Sequence, residues 1–481
     1  MINKFKNKWE SVIGLEVHVQ LSTNTKMFCS CKWSYGELPN TLTCPRCLGL
    51  PGALPVVNKK AVEYAIKIGH ALNCEIRSET TFSRKNYFYP DLPKGYQISQ
   101  SNDPICENGF LEINDSDSIK KIGITRAHME EDSGKLIHDL GTSSLVDLNR
   151  CGTPLVEIVS DPDLRNAKQA RQYLDRLKQT IQYVGVSDCD MEKGNLRCDA
   201  NISVRKKGQK EFGTRTEIKN LNSFRFVEKA INYEINRHIS LIEDGGQVDQ
   251  CTMMWDDNKN KTYVIRTKEE AHDYRYFPEP DIPPLSISNQ LINNIKLALN
   301  ELPSDKEKRF VNKYNLKLAD AIILSKDEKL ANFFELLSKN SGLPHLASKW
   351  ILSEVLRSLK EFKISINEFP ISIEQLSGLL NQIDKKIITN ANAKIVFNLM
   401  IDSDDDAITI IEREGFKLNK NTDNLKEIVL KVFKNNPKEF SRFKKGEQKL
   451  LGFFMGQVMK ATKGKVDPSS ISTIIGKLIK K

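Results

Sequence analysis

The stretch Val12 to Leu21, V-I-G-L-E-V-H-V-Q-L, constrains the fold more than any other in the chain. Leu15, Val17, Val19 and Leu21 alternate with Glu16, His18 and Gln20. An extended backbone therefore places an apolar row on one face and three polar side chains on the other. A carboxylate and an imidazole two residues apart on one strand face form a ready pair of metal ligands. A solvated surface strand alternates in the same way and is the competing reading of this stretch taken alone.

Repetition favours a site, because later strands present ionisable rows of the same kind. K-I-G-I-T-R-A-H-M-E-E-D-S-G-K ends in Glu130, Glu131 and Asp132. Three adjacent carboxylates repel one another unless a cation answers them or a strand end exposes them to water. In L-V-E-I-V, Glu157 stands in an otherwise apolar strand. A buried carboxylate is costly unless paired or metal-bound, so either a cation faces Glu157 or the strand lies at an edge. L-R-C-D-A-N-I-S-V-R puts Arg197, Asp199, Asn201 and Ser203 on one face, and T-R-T-E-I-K does the same for Arg215, Glu217 and Lys219. Lys206 to Lys210 suits a hairpin connection between them. Such a face fits a pocket where carboxylates hold metal and Arg or Lys receives phosphate. Cross-strand ion pairs on a solvated sheet are the alternative.

Cys29-x-Cys31 is followed after twelve residues by Cys44-x-x-Cys47. Four thiolates in two close pairs make a closed tetrahedral zinc site, which leaves no open position for substrate and is expected to be structural. A redox dithiol is the lesser alternative. The segment Ser83 to Gln100 is rich in aromatics, Pro and Gly, with Arg84, Lys85 and Lys94 interleaved, and reads as a loop able to stack a base and hold phosphates. Tyrosines that only pack against the domain would give the same string.

Helical periods run over Asn58 to Leu72, Asn166 to Val184 and Ser223 to Ile242, and prolines 278, 280, 283 and 284 mark a boundary before a helical second half. At 481 residues the chain suits about three domains. Its apolar runs fall short of the ~20 residues that span a bilayer, and its start is polar, so a soluble cytoplasmic protein with no membrane partner is expected. Ten cysteines in a chain of this size point to a reducing compartment. The net charge of +10 is concentrated at the end, where Thr422 to Lys481 holds fourteen Lys or Arg against five Asp or Glu. That is a footprint for polyanions, nucleic acid first, with solvated surface lysine as the bland reading. The chain contains neither a G-x-x-x-x-G-K-[ST] loop nor a G-x-S-x-G elbow.

Together the strings I-G-L-E-V-H-V-Q-L, K-N-Y-F-Y-P-D-L-P-K-G-Y-Q-I-S-Q, H-M-E-E-D-S-G-K, N-R-C-G-T-P-L-V-E-I-V-S-D-P-D-L-R, L-R-C-D-A-N-I-S-V-R and H-D-Y-R-Y-F-P-E-P-D, with the four-cysteine loop, resemble the B-subunit family of the bacterial aspartyl/glutamyl-tRNA(Asn/Gln) amidotransferases over nearly the whole length. The related archaeal E subunit is less similar, because there is no room after Pro284 for its inserted domain. The resemblance implies an α+β architecture. Residues 1–290 would form a mixed-sheet cradle domain with an inserted zinc loop at 29–47, followed by a helical domain at 291–406 and a basic, tRNA-binding helical tail at 407–481.

It also implies a ligase activity. ATP phosphorylates the side-chain carboxylate of Glu-tRNA(Gln) or Asp-tRNA(Asn), and ammonia displaces the phosphate. The ammonia comes from glutamine hydrolysed by a partner amidase (A) subunit, and a small C subunit completes a heterotrimer. ATP, Mg²⁺ and a structural Zn²⁺ held by Cys29, Cys31, Cys44 and Cys47 are the expected cofactors. For Mg²⁺ the expected ligands are Glu16, His18, Glu131 and Glu157, with Asp199 and Glu217 as second-rank ligands or water-orienting groups. Lys85, Lys94, Arg197, Arg215 and Lys219 are assigned to phosphate by residue type. A non-catalytic, zinc-stabilised tRNA-binding adaptor accounts equally well for the cysteines and the basic tail, but leaves Glu157 unexplained.

Overall fold

A computed structural model of the chain describes residues 8–115, 118–140, 143–267, 273–418, 422–462 and 466–479. His272 of the H-D-Y-R string and Lys463, Lys465, Lys480 and Lys481 of the basic tail lie outside the described residues. The chain divides into two units at residues 304 and 305. The first is mixed α and β, and the second is helical.

Ten strands of the first unit matter to the site: β1 (Trp9–Gln20), β2 (Ser83–Asn86), β3 (Tyr96–Ser99), β4 (Cys106–Asp115), β5 (Ser118–Glu131), β6 (Pro154–Ser160), β7 (Leu196–Lys206), β8 (Thr216–Lys219), β9 (Cys251–Asp256) and β10 (Lys261–Thr267). They belong to one twelve-stranded sheet in which the order is β10, β9, β8, β7, β1, β6, β5, β3, β2, while β4 pairs with the outer half of β5. These neighbours are antiparallel except β8 and β9, which run parallel. A parallel pair needs a crossover, and the helix Phe224–Glu243 supplies it. The opening strand thus lies in the middle of the sheet, between β6 and β7.

Three helices follow the expected periods, α1 (Lys59–Ala71), α2 (Ala167–Tyr183) and α3 (Phe224–Glu243). Each starts at a side chain that accepts a hydrogen bond from a free N–H of the first turn: Asn58, Asn166 and Ser223. Leu174, Leu177 and Ile181 of α2 and Val227, Ala230 and Ile231 of α3 share one core with Leu15, Val17 and Val19 of β1. Each such fully buried aliphatic side chain contributes roughly 1.5–3 kcal/mol. Burying the apolar row leaves Glu16 and His18 on the other face, as the alternation requires.

The segment Ser83 to Gln100 differs from its expected form. Its two ends pair as β2 and β3, with Ser83 opposite Ser99 and Arg84 opposite Ile98. Four residues of strand on either side of a Pro- and Gly-rich turn are too short to show an alternation.

In the second unit one core gathers Phe310, Phe334, Trp350 and Phe397, and takes in Ala407, Ile410 and Ile411. A further core begins at Leu425 and includes Val429, Phe433, Phe454 and Val458. No helix among the described residues is long and apolar enough to cross a membrane.

Candidate active site

Strand register brings the polar rows together. His18 of β1 lies opposite Glu157 of β6 on one side and Arg197 of β7 on the other, while Glu16 lies opposite Asp199. Glu157 in turn faces His128 of β5, and Asn201 faces Glu217 of β8. Two clusters result, His18 with Glu130 and Glu157, and Glu16 with Asp199 and Glu217. Within each, the ligand atoms all lie within 4.8 Å of one another. Imidazole and carboxylate oxygens at that spacing fit one divalent ion per cluster.

In the first cluster His18 Nδ1 is 2.9 Å from Glu130 Oε1 and 3.9 Å from Glu157 Oε2. Burial disfavours the His18 imidazolium, but the hydrogen bond and charge of Glu130, with Glu157, outweigh it and raise its pKa to about 9. Burial would raise Glu130, yet the same contact with His18 brings it down to about 2. Glu157 is raised, first by burial and then by the charge of Glu130. His18 thus faces both carboxylates from the same side of the sheet. Lys85 of β2 adds a second positive charge: burial opposes it, but Glu130 and nearby tyrosines outweigh that cost. Its Nζ stands 4.9 Å from the ring centre of Tyr274.

In the second cluster Glu16 accepts a hydrogen bond from Asn201 at 2.7 Å. Lys219 Nζ reaches Asp199 at 2.5 Å and Glu217 at 2.8 Å. Thr252 donates to the other Glu217 oxygen at 3.0 Å. Behind β8, the fully buried Glu234 of α3 accepts from Thr216 at 3.1 Å and from Thr262, and lies 3.2 Å from His238 Nε2. Burial would raise Glu234, but His238, Arg237 and Thr262 hold it at about 2. This pins the crossover helix to the strand that carries Glu217 and Lys219.

Glu131 stands apart from the row in which the sequence suggests it. Successive residues of a strand face opposite sides, so Glu130 takes the place beside His18 and Glu131 points away. It is paired with Lys94 and accepts the Ile98 N–H at 2.9 Å. Lys94 accordingly lies on the opposite side from His18 and Glu130, and both it and Glu131 line a small cavity of 110 Å³ next to the cysteine loop. His128 joins Glu130 and Asp132 on that face without having stood out in the sequence. Counting every second residue through R-A-H-M-E-E-D, from Arg126, is the signal that finds them.

Arg197 is paired with Asp132, which Arg150 also approaches at 3.4 Å. Arg197, Asp199, Arg150 and Asn220 border a cleft of 790 Å³. On the other side of the row a cleft of 500 Å³ is bordered by Gly14, Glu16, Ser160, Asn201 and Arg215. Arg215, the residue before β8, is exposed there rather than part of the Lys219 cluster. Lys85, Arg197 and Lys219 are thus the expected cations that border the metal-ligand row directly.

Cys29, Cys31, Cys44 and Cys47 offer four sulfur atoms within 4.8 Å of one another. With Zn–S bonds of ≈ 2.3 Å the sulfurs of a tetrahedral site are about 3.8 Å apart, so the set fits zinc. The Cys44 N–H donates to Cys47 Sγ at 3.1 Å.

Comparison with known proteins places these features in context. The GatB/GatE catalytic domain matches residues 11–293, and the GatB domain matches residues 332–479. The B subunit of the aspartyl/glutamyl-tRNA(Asn/Gln) amidotransferase from Persephonella marina is 51% identical over 474 residues, covering 98% of this chain and 100% of that protein. Its namesakes from Carboxydothermus hydrogenoformans and Syntrophotalea carbinolica are 49% and 50% identical, over 97% and 98% of this chain and 98% of each relative.

Proposed function

Because the chain belongs to the GatB/GatE family, we propose that it is the amidotransferase component that activates and amidates the amino acid on Glu-tRNA(Gln), Asp-tRNA(Asn) or both. The observation that carries this reading is the pair of carboxylate-rich clusters, each able to hold a divalent ion, lying side by side on the polar face of β1 and its neighbours. Kinase chemistry on a carboxylate needs such a face. A carboxylate attacks phosphate poorly because the two repel, so catalysis consists of neutralising both and holding them in line.

A divalent cation, Mg²⁺ in this reading, supplies that neutralisation when bound. His18, Glu130 and Glu157 are the residues that would hold it, with Glu16, Asp199 and Glu217 next to them. Lys85, whose ammonium stands over the Tyr274 ring near Glu130, is the cation available to a phosphate oxygen. Lys219 keeps Asp199 and Glu217 in place, and Arg197 is oriented by Asp132. The two clefts beside the row give room for ATP and for the aminoacylated end of a tRNA. Ammonia is supplied by a separate amidase subunit in a complex with a small third subunit, in the cytoplasm where translation takes place. Chemistry belongs to residues 1–290, zinc holds the 29–47 loop, residues 291–406 form a helical connection, and the basic tail contacts tRNA.

An adaptor without catalysis would have no use for Glu157, which is 8% exposed and lies beside the carboxylate of Glu130. The test is ATP hydrolysis by the reconstituted complex. Misacylated tRNA should stimulate it and yield amidated tRNA; hydrolysis absent under both conditions would return the adaptor reading.

A further inference from the structure

Lys26 lies outside the catalytic row and is fully buried. Its Nζ donates to the Leu42 carbonyl at 2.7 Å and stands 3.7 Å from Cys47 Sγ. A carbonyl satisfies one of the three donors of an ammonium but does not balance its charge, and an unbalanced buried charge is strongly unfavourable. Glu131, on the same side, is paired with Lys94, whereas the Cys47 sulfur is in direct contact with the Lys26 ammonium, which makes sulfur the charge that Lys26 answers. Four thiolates around a divalent ion leave a net charge of about minus two, and a closed site under a protein loop has little water to spread it.

We propose that Lys26 is the built-in counter-cation of the four-cysteine centre. Its ammonium offsets one of the two net negative charges at Cys47 and so governs how firmly zinc is retained. The proposal rests on the zinc reading of the cysteines. It adds a residue five positions before Cys31 that is not a ligand, and gives a reason for its burial. The contact to Leu42 does a second job, because it fastens the stretch between the two cysteine pairs to the segment that precedes them. Gly152 packs on the same spot: a Cβ there would lie 3.5 Å from Lys26 Cδ and 3.5 Å from Cys47 Cβ. The lysine stem is thus held between the loop and the segment that leads into β6.

The test uses the full-length chain in its complex, as the parent and as Lys26→Gln and Lys26→Arg variants. Zinc content is measured first, then the rate of zinc transfer to a chelating indicator, and the sulfur-to-metal charge-transfer band after cobalt substitution. The parent should hold one zinc per chain. Lys26→Gln should lose zinc at least tenfold faster, the scale seen when outer partners of metal ligands are removed. Its charge-transfer band should move to lower energy, because the sulfur keeps electron density that the ammonium had drawn. Lys26→Arg should restore both in large part. General loosening of the loop would speed zinc loss but would not move the band, so an unshifted band in Lys26→Gln overturns the proposal. A parent chain that binds no zinc would overturn the zinc reading itself, separately from the role of Lys26.

Discussion

Glu130 and Glu131 share a peptide bond and face opposite sides of the sheet, Glu130 held by His18 at 2.9 Å and Glu131 by the buried Lys94. One carboxylate therefore joins the His18 row and the other pairs with Lys94. Glu130→Gln should raise the Mg²⁺ concentration for half-maximal amidation by about tenfold or more, as loss of a charged ligand requires. Glu131→Gln should leave that Mg²⁺ requirement unchanged, whatever it does to stability. Metal titrations of ATP-dependent amidation distinguish the two, and the reverse pattern would reassign the site.

Glu157→Gln keeps shape and hydrogen-bonding capacity and removes the charge. Amidation by the complex should fall by about a hundredfold or more, on the scale of lost transition-state charge stabilisation. Glutamine hydrolysis by the partner amidase, assayed alone, should persist. A variant complex that amidates tRNA at the parental rate without extra Mg²⁺ would remove Glu157 from the metal centre.

The acid limb of stability should report on Glu234. Its folded pKa of about 2 lies below the ordinary 4.5. Its contribution is therefore complete above pH 4.5 and disappears as pH falls through about 2. Glu234→Gln should cost about 3 kcal/mol at neutral pH, from the equivalence of one pKa unit with about 1.4 kcal/mol. The gap between variant and parent should close toward pH 2. Denaturant melts at pH 7, 4 and 2.5 measure it, and a gap that stays constant with pH would mean that the Glu234 carboxylate is not the source.

Cys44→Ser removes one sulfur from the cysteine cluster. Zinc content and melting temperature should drop together, because metal binding and local folding are linked. Metal analysis beside a thermal melt decides it; normal zinc with unchanged stability counts against the cluster.

Deleting residues 422–481 takes away the chain's charge surplus. Binding of tRNA should weaken, and its dependence on salt should flatten, since each phosphate contact adds up to about 0.9 to the slope of log affinity against log salt. ATP hydrolysis at saturating tRNA should be largely kept. An unchanged salt slope would place the tRNA contacts elsewhere.

Much of this site is written locally. Alternation in V-I-G-L-E-V-H-V-Q-L fixes which side of β1 is polar, and the lone acid in L-V-E-I-V marks β6. Helix starts are legible because Asn58, Asn166 and Ser223 are good caps. The choice between Glu130 and Glu131 is equally local, but three acids in a run conceal the two-residue period that separates their faces. Other features are not local. The grouping of Glu16 with Asp199 and Glu217, apart from His18, depends on register between strands far apart in sequence. The pairing of Lys94 with Glu131 and of Arg197 with Asp132 likewise needs the assembled sheet. Residue type alone marks a lysine as a phosphate ligand and does not reveal that a carboxylate already holds it.

The central place of β1 has a consequence for the order in which the protein is made. Both strands that flank it, Pro154–Ser160 and Leu196–Lys206, are synthesised long after it. Roughly 200 residues must leave the ribosome before Glu16 and His18 have neighbours on both sides, and contacts between such distant segments form slowly. Until then the apolar row of Leu15, Val17 and Val19 waits without its sheet, exposed to wrong pairings. The catalytic face is therefore a late product of folding, and the nascent first unit is the stage at which a chaperone would matter most.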